Sequence, residues 1–130
     1  MKILVGYNGG AVGDKALALA RDFALKFNAV VYIVTSMGGG TSEKESDIEK
    51  VDRELALARK LMEEAGLECD AQQSVRGLSA GEDLVRFAEE NDIDHIFLGI
   101  KKKSRVEKII LGSTSRYVIL KAPCPVTTTK

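Results

Sequence analysis

Short apolar runs rich in valine, isoleucine and leucine recur along this chain between longer stretches of helical period, and no other feature narrows the choice of fold as much. Strands that read as near-continuous apolar runs are buried on both faces, and alternating them with amphipathic helices builds a parallel sheet covered by helices. The first run is Ile3 to Tyr7. A helix follows from about Val12 to Phe27, with Ala16, Leu17, Ala20, Phe23, Ala24 and Phe27 on one arc and Lys15, Asp22 and Lys26 opposite. The second strand, Ala29 to Thr35, is apolar on both faces except for Tyr32, as an interior position requires.

The segment SMGGGTSEKES then carries three successive glycines, Gly38 to Gly40, and predicts a mobile connection rather than a domain linker. Ser42 and Glu45 have capping-box spacing, and Ile48, Val51, Leu55, Ala58, Met62 and Ala65 continue a helical stripe up to Gly66. Leu67 to Val75 alternates Leu67, Cys69 and Ala71 against Glu68, Asp70 and Gln72, which suits a half-exposed edge strand with Cys69 as a small core residue. A second capping box, Ser79 and Glu82, opens a helix with Leu84, Val85 and Ala88 inward. The strand Asp94 to Ile100, a helix from about Ser113 to Lys121, and a short strand from Pro125 complete a β-α-β-α-β-α-β-α-β order. Right-handed crossovers then predict an α/β fold: a doubly wound, five-stranded parallel sheet of order 3-2-1-4-5 with helices on both faces. Ligands of such sheets bind beyond the carboxyl ends of the strands, where strand order reverses.

With 130 residues the chain reads as one domain spanning 1–130. Its 19 lysines and arginines balance 19 aspartates and glutamates, so no large field favours a nucleic-acid backbone or an anionic membrane, and any anion must be held locally. The N-terminus, MKILVGYNGG, has too brief an apolar run for a secretory signal or an anchor, and no window reaches the roughly 20 apolar residues of a membrane span. Cys69 and Cys124 lie far apart, without CxxC spacing or nearby histidines for a metal site, and fit a cytoplasmic protein with reduced thiols.

Two loops fall at the expected crevice. GYNGGAVG, after the first strand, contains Gly6, Gly9, Gly10 and Gly13 but neither GxGxxG nor a P-loop, and no acid closes the second strand to hold a ribose. Asn8 stands where a phospho-receiver domain needs a carboxylate. In the other loop, Gly112, Ser113, Thr114 and Ser115 open a helix whose unpaired N–H groups and dipole suit a phosphate, with hydroxyls able to donate to its oxygens. The same residues also suit ordinary capping by Ser113. Lys101 to Lys103 are either a solvated loop or the countercharge of a bound anion. No general base is evident at this end, because His95 starts its strand at the opposite end, and Cys124 between two prolines suits a rigid entry to the last strand.

The pattern Gly99-x-x-Lys102, nine residues, then Gly112-Ser113 resembles the G-x2-G-x9-G-[ST] nucleotide motif of the universal stress protein family. Ala122-Pro123-Cys124-Pro125-Val126 is similar to that family's ending, and the likeness runs the length of the chain. The resemblance implies a cytoplasmic stress-response module that binds ATP or another adenine nucleotide, with Mg²⁺ as a candidate bridge, and pairs as a homodimer through its last strand to serve a further protein partner. Gly6 and Asn8 would then lie by the adenosine, Val34 and Leu98 would line the adenine pocket, Gly99 and Lys102 would flank ribose and phosphates, and Gly112, Ser113 and Thr114 would hold the phosphates. Two residues depart from the pattern. Asn8 replaces the usual aspartate, and Lys102 replaces the second glycine. They sustain one alternative, a dimeric interaction protein of the same fold without nucleotide; a further alternative, a slow ATPase or self-phosphorylating protein, has candidate acceptors in Ser113, Thr114 and Ser115.

Overall fold

The computed structural model describes residues 1–37, 45–75, 77–100 and 111–130. Within them the chain runs β1 (Lys2–Gly6), α1 (Gly10–Phe27), β2 (Val30–Ser36), α2 (Glu45–Glu64), β3 (Cys69–Ser74), α3 (Ala80–Glu90), β4 (His95–Gly99), α4 (Ser113–Lys121) and β5 (Val126–Thr129). The strands form one sheet of order β3-β2-β1-β4-β5, and every pair is parallel. The order expected from alternating runs and right-handed crossovers is the order observed.

The two directions of winding put α1 and α2 on one face and α3 and α4 on the other. Side-chain alternation along β1 divides its residues between two cores. Ile3 and Val5 join Ala16, Leu17, Leu55 and Met62 on the first face, while Leu4 joins Leu84, Phe87, Ile96 and Val118 on the second. All three β1 residues are fully buried. β3, at the edge, keeps Cys69 buried and exposes Asp70, as its alternation predicts.

Two positions leave the stripes drawn from periodicity. Phe27 is 55% exposed, because α1 ends beside it: Asn28 takes a left-handed conformation (φ 52°) and its N–H bonds the Ala24 carbonyl. The Phe27 ring packs on Phe23, at 4.5 Å between centroids. Ile48 is 40% exposed, since the first turns of α2 lie over the sheet edge, where Gln73 Nε2 donates to the Ile48 carbonyl. α3 begins as predicted, with Ser79 Oγ accepting from the Glu82 N–H; the Glu82 carboxylate then accepts from the same hydroxyl at 2.9 Å. The Gly38–Gly40 connection, the Ser42 cap and the lysines at 101–103 lie outside the described residues.

Candidate functional site

A crevice with an enclosed volume of ≈ 80 Å³ opens beyond the carboxyl ends of β1, β2 and β4. It brings together seven of the residues singled out from sequence: Gly6, Asn8, Val34, Leu98, Gly99, Thr114 and Ser115. Gly112 and Ser113 stand just before Thr114 at the start of α4 but do not line the enclosed part. Lys102 lies outside the described residues.

The loop after β1 is fixed by its neighbours. Tyr7 N–H donates to the Val34 carbonyl at 2.9 Å, and Thr35 Oγ1 donates to the Tyr7 carbonyl at 2.6 Å, so the loop is latched to the end of β2. Gly9 (φ 74°) and Gly10 (φ 78°) then turn the chain into α1 through backbone conformations that side chains resist. A Cβ on Gly9 would collide with the Glu54 carboxylate, which thus sits against the start of α1. Tyr7 Oη donates to Asp14 Oδ1 at 3.0 Å; burial, and then that bond, push its phenol up to about 12, so it stays protonated at neutral pH.

The crevice glycines differ in what they make room for. A Cβ on Gly6 would fall 2.7 Å from Leu98 Cδ2 and 2.9 Å from Leu84 Cδ1, so its bareness keeps the floor between two leucines open. On Gly99 it would strike Val12, at 2.6 Å from Cγ1 and 2.8 Å from the carbonyl oxygen. That glycine lets α1 approach β4. At Gly112 a Cβ meets no described atom within 4 Å, and φ is an ordinary −66°.

Gly112, and not Ser113, is the N-cap of α4, and it offers no side chain to cap that turn. The cap position needs extended backbone, which Gly112 adopts, and Ser113 is already helical. Thr114 and Ser115 face the crevice from this turn. α3 differs, with its Ser79 cap and with Glu82 and Asp83 in its first turn.

Sequence reasoning missed Tyr7, Ser36, Ala80 and Leu84 as lining residues. Ser36 lies two positions after Val34 and so on the same face of β2, and Leu84 belongs to the inward stripe of α3, which were the available signals. Ser36 Oγ donates to Asp83 Oδ2 at 2.7 Å, and Asp83 is only 2% exposed.

His95 lies at the far end of β4. Its Nε2 is 2.6 Å from Thr127 Oγ1, its ring stacks on Phe97, and burial lowers its pKa. Burial pushes the Cys69 thiol up to about 12 and raises that of Cys124 as well, and both cysteines are free. Among the described residues no group of three or more histidines, cysteines or carboxylates gathers as for a metal. A wider groove of ≈ 550 Å³ runs between α1 and α2 and shares Tyr7 with the crevice, but it is open and does not include the ends of β2 and β4 or the start of α4, so the smaller crevice remains the candidate.

The fold and its crevice define the class: an α/β domain of the doubly wound kind, with a candidate ligand site at the topological switch point. The chain belongs to the universal stress protein family, whose model matches residues 1–130. It is 32% identical over 127 residues to a universal stress protein of Synechocystis, covering 98% of this chain and 42% of that protein. It is 31% identical over 140 residues to one of Methanocaldococcus jannaschii, covering 99% of this chain and 81% of that protein. The chain therefore spans under half the length of the first relative and most of the second. A structure of a universal stress protein from Archaeoglobus fulgidus superposes with a TM-score of 0.91 at 35% identity, covering 100% of this chain and 98% of that one. Another from that organism, in complex with dAMP, gives 0.85 at 32% identity with the same coverage.

Proposed function

We propose that this chain is a regulatory binding module that holds ATP or a related adenine nucleotide in the crevice. The observation that carries the reading is the start of α4: a glycine cap without a side chain, followed by hydroxyls that face the crevice. The dAMP complex of the Archaeoglobus relative supports it. Val34 and Leu98 would receive the base, Gly6 and Asn8 the adenosine, Gly99 and Lys102 the ribose and inner phosphates, and Gly112, Ser113 and Thr114 the phosphates. Their chemistry fits such a ligand, apolar beneath the base and rich in donors by the phosphates. The enclosed volume is small, which suits a ligand whose charged end stays hydrated in the open mouth and can carry Mg²⁺ there.

The module would work as a cytoplasmic homodimer joined along β5 and would present its surface to a protein partner in the stress response. An apolar hollow of ≈ 700 Å³, lined by Ile100, Leu111, Ile119 and Thr128, lies beside that edge, and Leu120 is 72% exposed on α4. No described helix is long and apolar enough to cross a membrane. Asn8 in the crevice favours a second reading, a dimer of the same fold without nucleotide: an amide makes weaker bonds to ribose hydroxyls than a carboxylate does.

Titration calorimetry with ATP, ADP and AMP tests the proposal. Wild-type protein should bind at least one of them, and Gly112→Val should abolish binding while its circular dichroism stays native, because a branched side chain then occupies the phosphate position. Failure of the wild type to bind any of the three would sink the nucleotide reading and leave the dimer alone.

A further inference from the structure

We infer that Ser36, oriented by Asp83, is the residue through which the crevice selects a purine bearing an amino group at position 6 and rejects a 6-oxo purine. The inference rests on the adenine-nucleotide reading and adds to it a determinant of base choice.

A serine hydroxyl has one proton and two lone pairs. In Ser36 the proton is committed, since Oγ donates to Asp83 Oδ2 at 2.7 Å, and Asp83 is almost wholly buried behind it on α3. What Ser36 offers the crevice is therefore an acceptor. Two donors beside it on the β1–β2 side are engaged too: Tyr7 N–H with the Val34 carbonyl, and the Thr35 hydroxyl with the Tyr7 carbonyl. Ser36 and Val34 share one face of β2, so a base lying on Val34 presents an edge to Ser36. An exocyclic amino group there donates into the waiting lone pair, whereas a carbonyl oxygen places two acceptors face to face without a proton between them. Sites built to pair a particular polar group reject analogues that lack it more strongly than apolar pockets discriminate by size.

Asp83 acts here as a positioning residue, and its role makes a prediction that packing alone does not. The amide of Asp83→Asn can donate to Ser36 Oγ, which frees the serine proton to point into the crevice and inverts the polarity the ligand meets.

The test is calorimetry with ATP and ITP, which share ribose and triphosphate and differ at position 6 of the base. Wild-type protein should bind ATP roughly 10- to 100-fold more tightly than ITP. Ser36→Ala should bring the two within about threefold of each other, and Asp83→Asn should raise ITP affinity relative to ATP. Equal wild-type affinities, or a wild-type preference that survives Ser36→Ala, would overturn the inference while leaving the nucleotide site intact. Binding of neither ATP nor ITP overturns this inference, and absence of ADP and AMP binding as well overturns the proposed function with it. Should Asp83→Asn not fold, the Ser36→Ala comparison decides alone.

Discussion

Gly99 and Gly112 belong to one spacing pattern, yet they are bare for different reasons. Gly99 admits Val12 of α1, so Gly99→Ala should cost about 1–3 kcal/mol of stability, as overpacking does. Gly112→Ala, with open space and an ordinary φ, should stay within about 0.5 kcal/mol of wild type. Urea unfolding of the two variants checks both, and an unharmed Gly99→Ala would show that α1 yields easily. The pattern itself was legible in sequence. Its division was not, because the reason for Gly99 is a contact made only when α1 docks on β4, and the Ser36–Asp83 bond likewise joins residues 47 apart. His95 was legible as a residue away from the chemistry, and its burial gives a pH dependence. Its folded pKa lies below the unfolded value of 6.5, so the unfolded chain takes up the proton first as pH falls, and each step down through that value favours unfolding. The urea midpoint should drop between pH 7.5 and 5.5, and His95→Gln should flatten that drop.

Elements were read well where a stripe or an apolar run lies in the middle of a segment, and less well at its ends. Phe27 fits the arc of α1 in a helical wheel, but the left-handed Asn28 stops the helix before the sheet can cover it. Periodicity carries no information about where the neighbouring layer ends. For β5 the hydrogen bonds add what its pattern of threonines did not show. Ile96 N–H bonds the Pro125 carbonyl and Ile100 N–H the Thr129 carbonyl, so the odd-numbered residues of β5 turn their backbone groups toward β4. By alternation, Thr128 directs its N–H outward, to the edge proposed for dimerisation. Thr128→Pro should therefore leave the β4–β5 ladder intact and weaken the dimer. Light scattering at micromolar concentration should report a dimer for wild type and a shift toward monomer for the variant; an unchanged mass would place the interface elsewhere.

At the scale of the molecule, a ligand held between loops from both halves of the sheet ties them together. If the crevice binds adenine nucleotide, a 100-fold excess over Kd should add about 2.7 kcal/mol to unfolding and raise Tm by on the order of 10 °C. The sequence disclosed the doubly wound class of the sheet, because apolar runs and crossover handedness are enough for that; they do not by themselves choose its switch point, since the 2-1-3-4-5 order obeys the same rules. β1 pairs with β2 on one flank and with β4 on the other, and it feeds both cores. Its first partner lies one helix downstream; its second comes only after two further helices and the strand β3 between them. Assembly should therefore be sequential, with β1, α1 and β2 gathering early and the α3–β4–β5 half closing over them last, since distant loop closure is entropically slower. Once closed, the amides of Ile3, Leu4 and Val5 have no local route to solvent. In deuterium exchange they should be the last to label, at the rate of global opening.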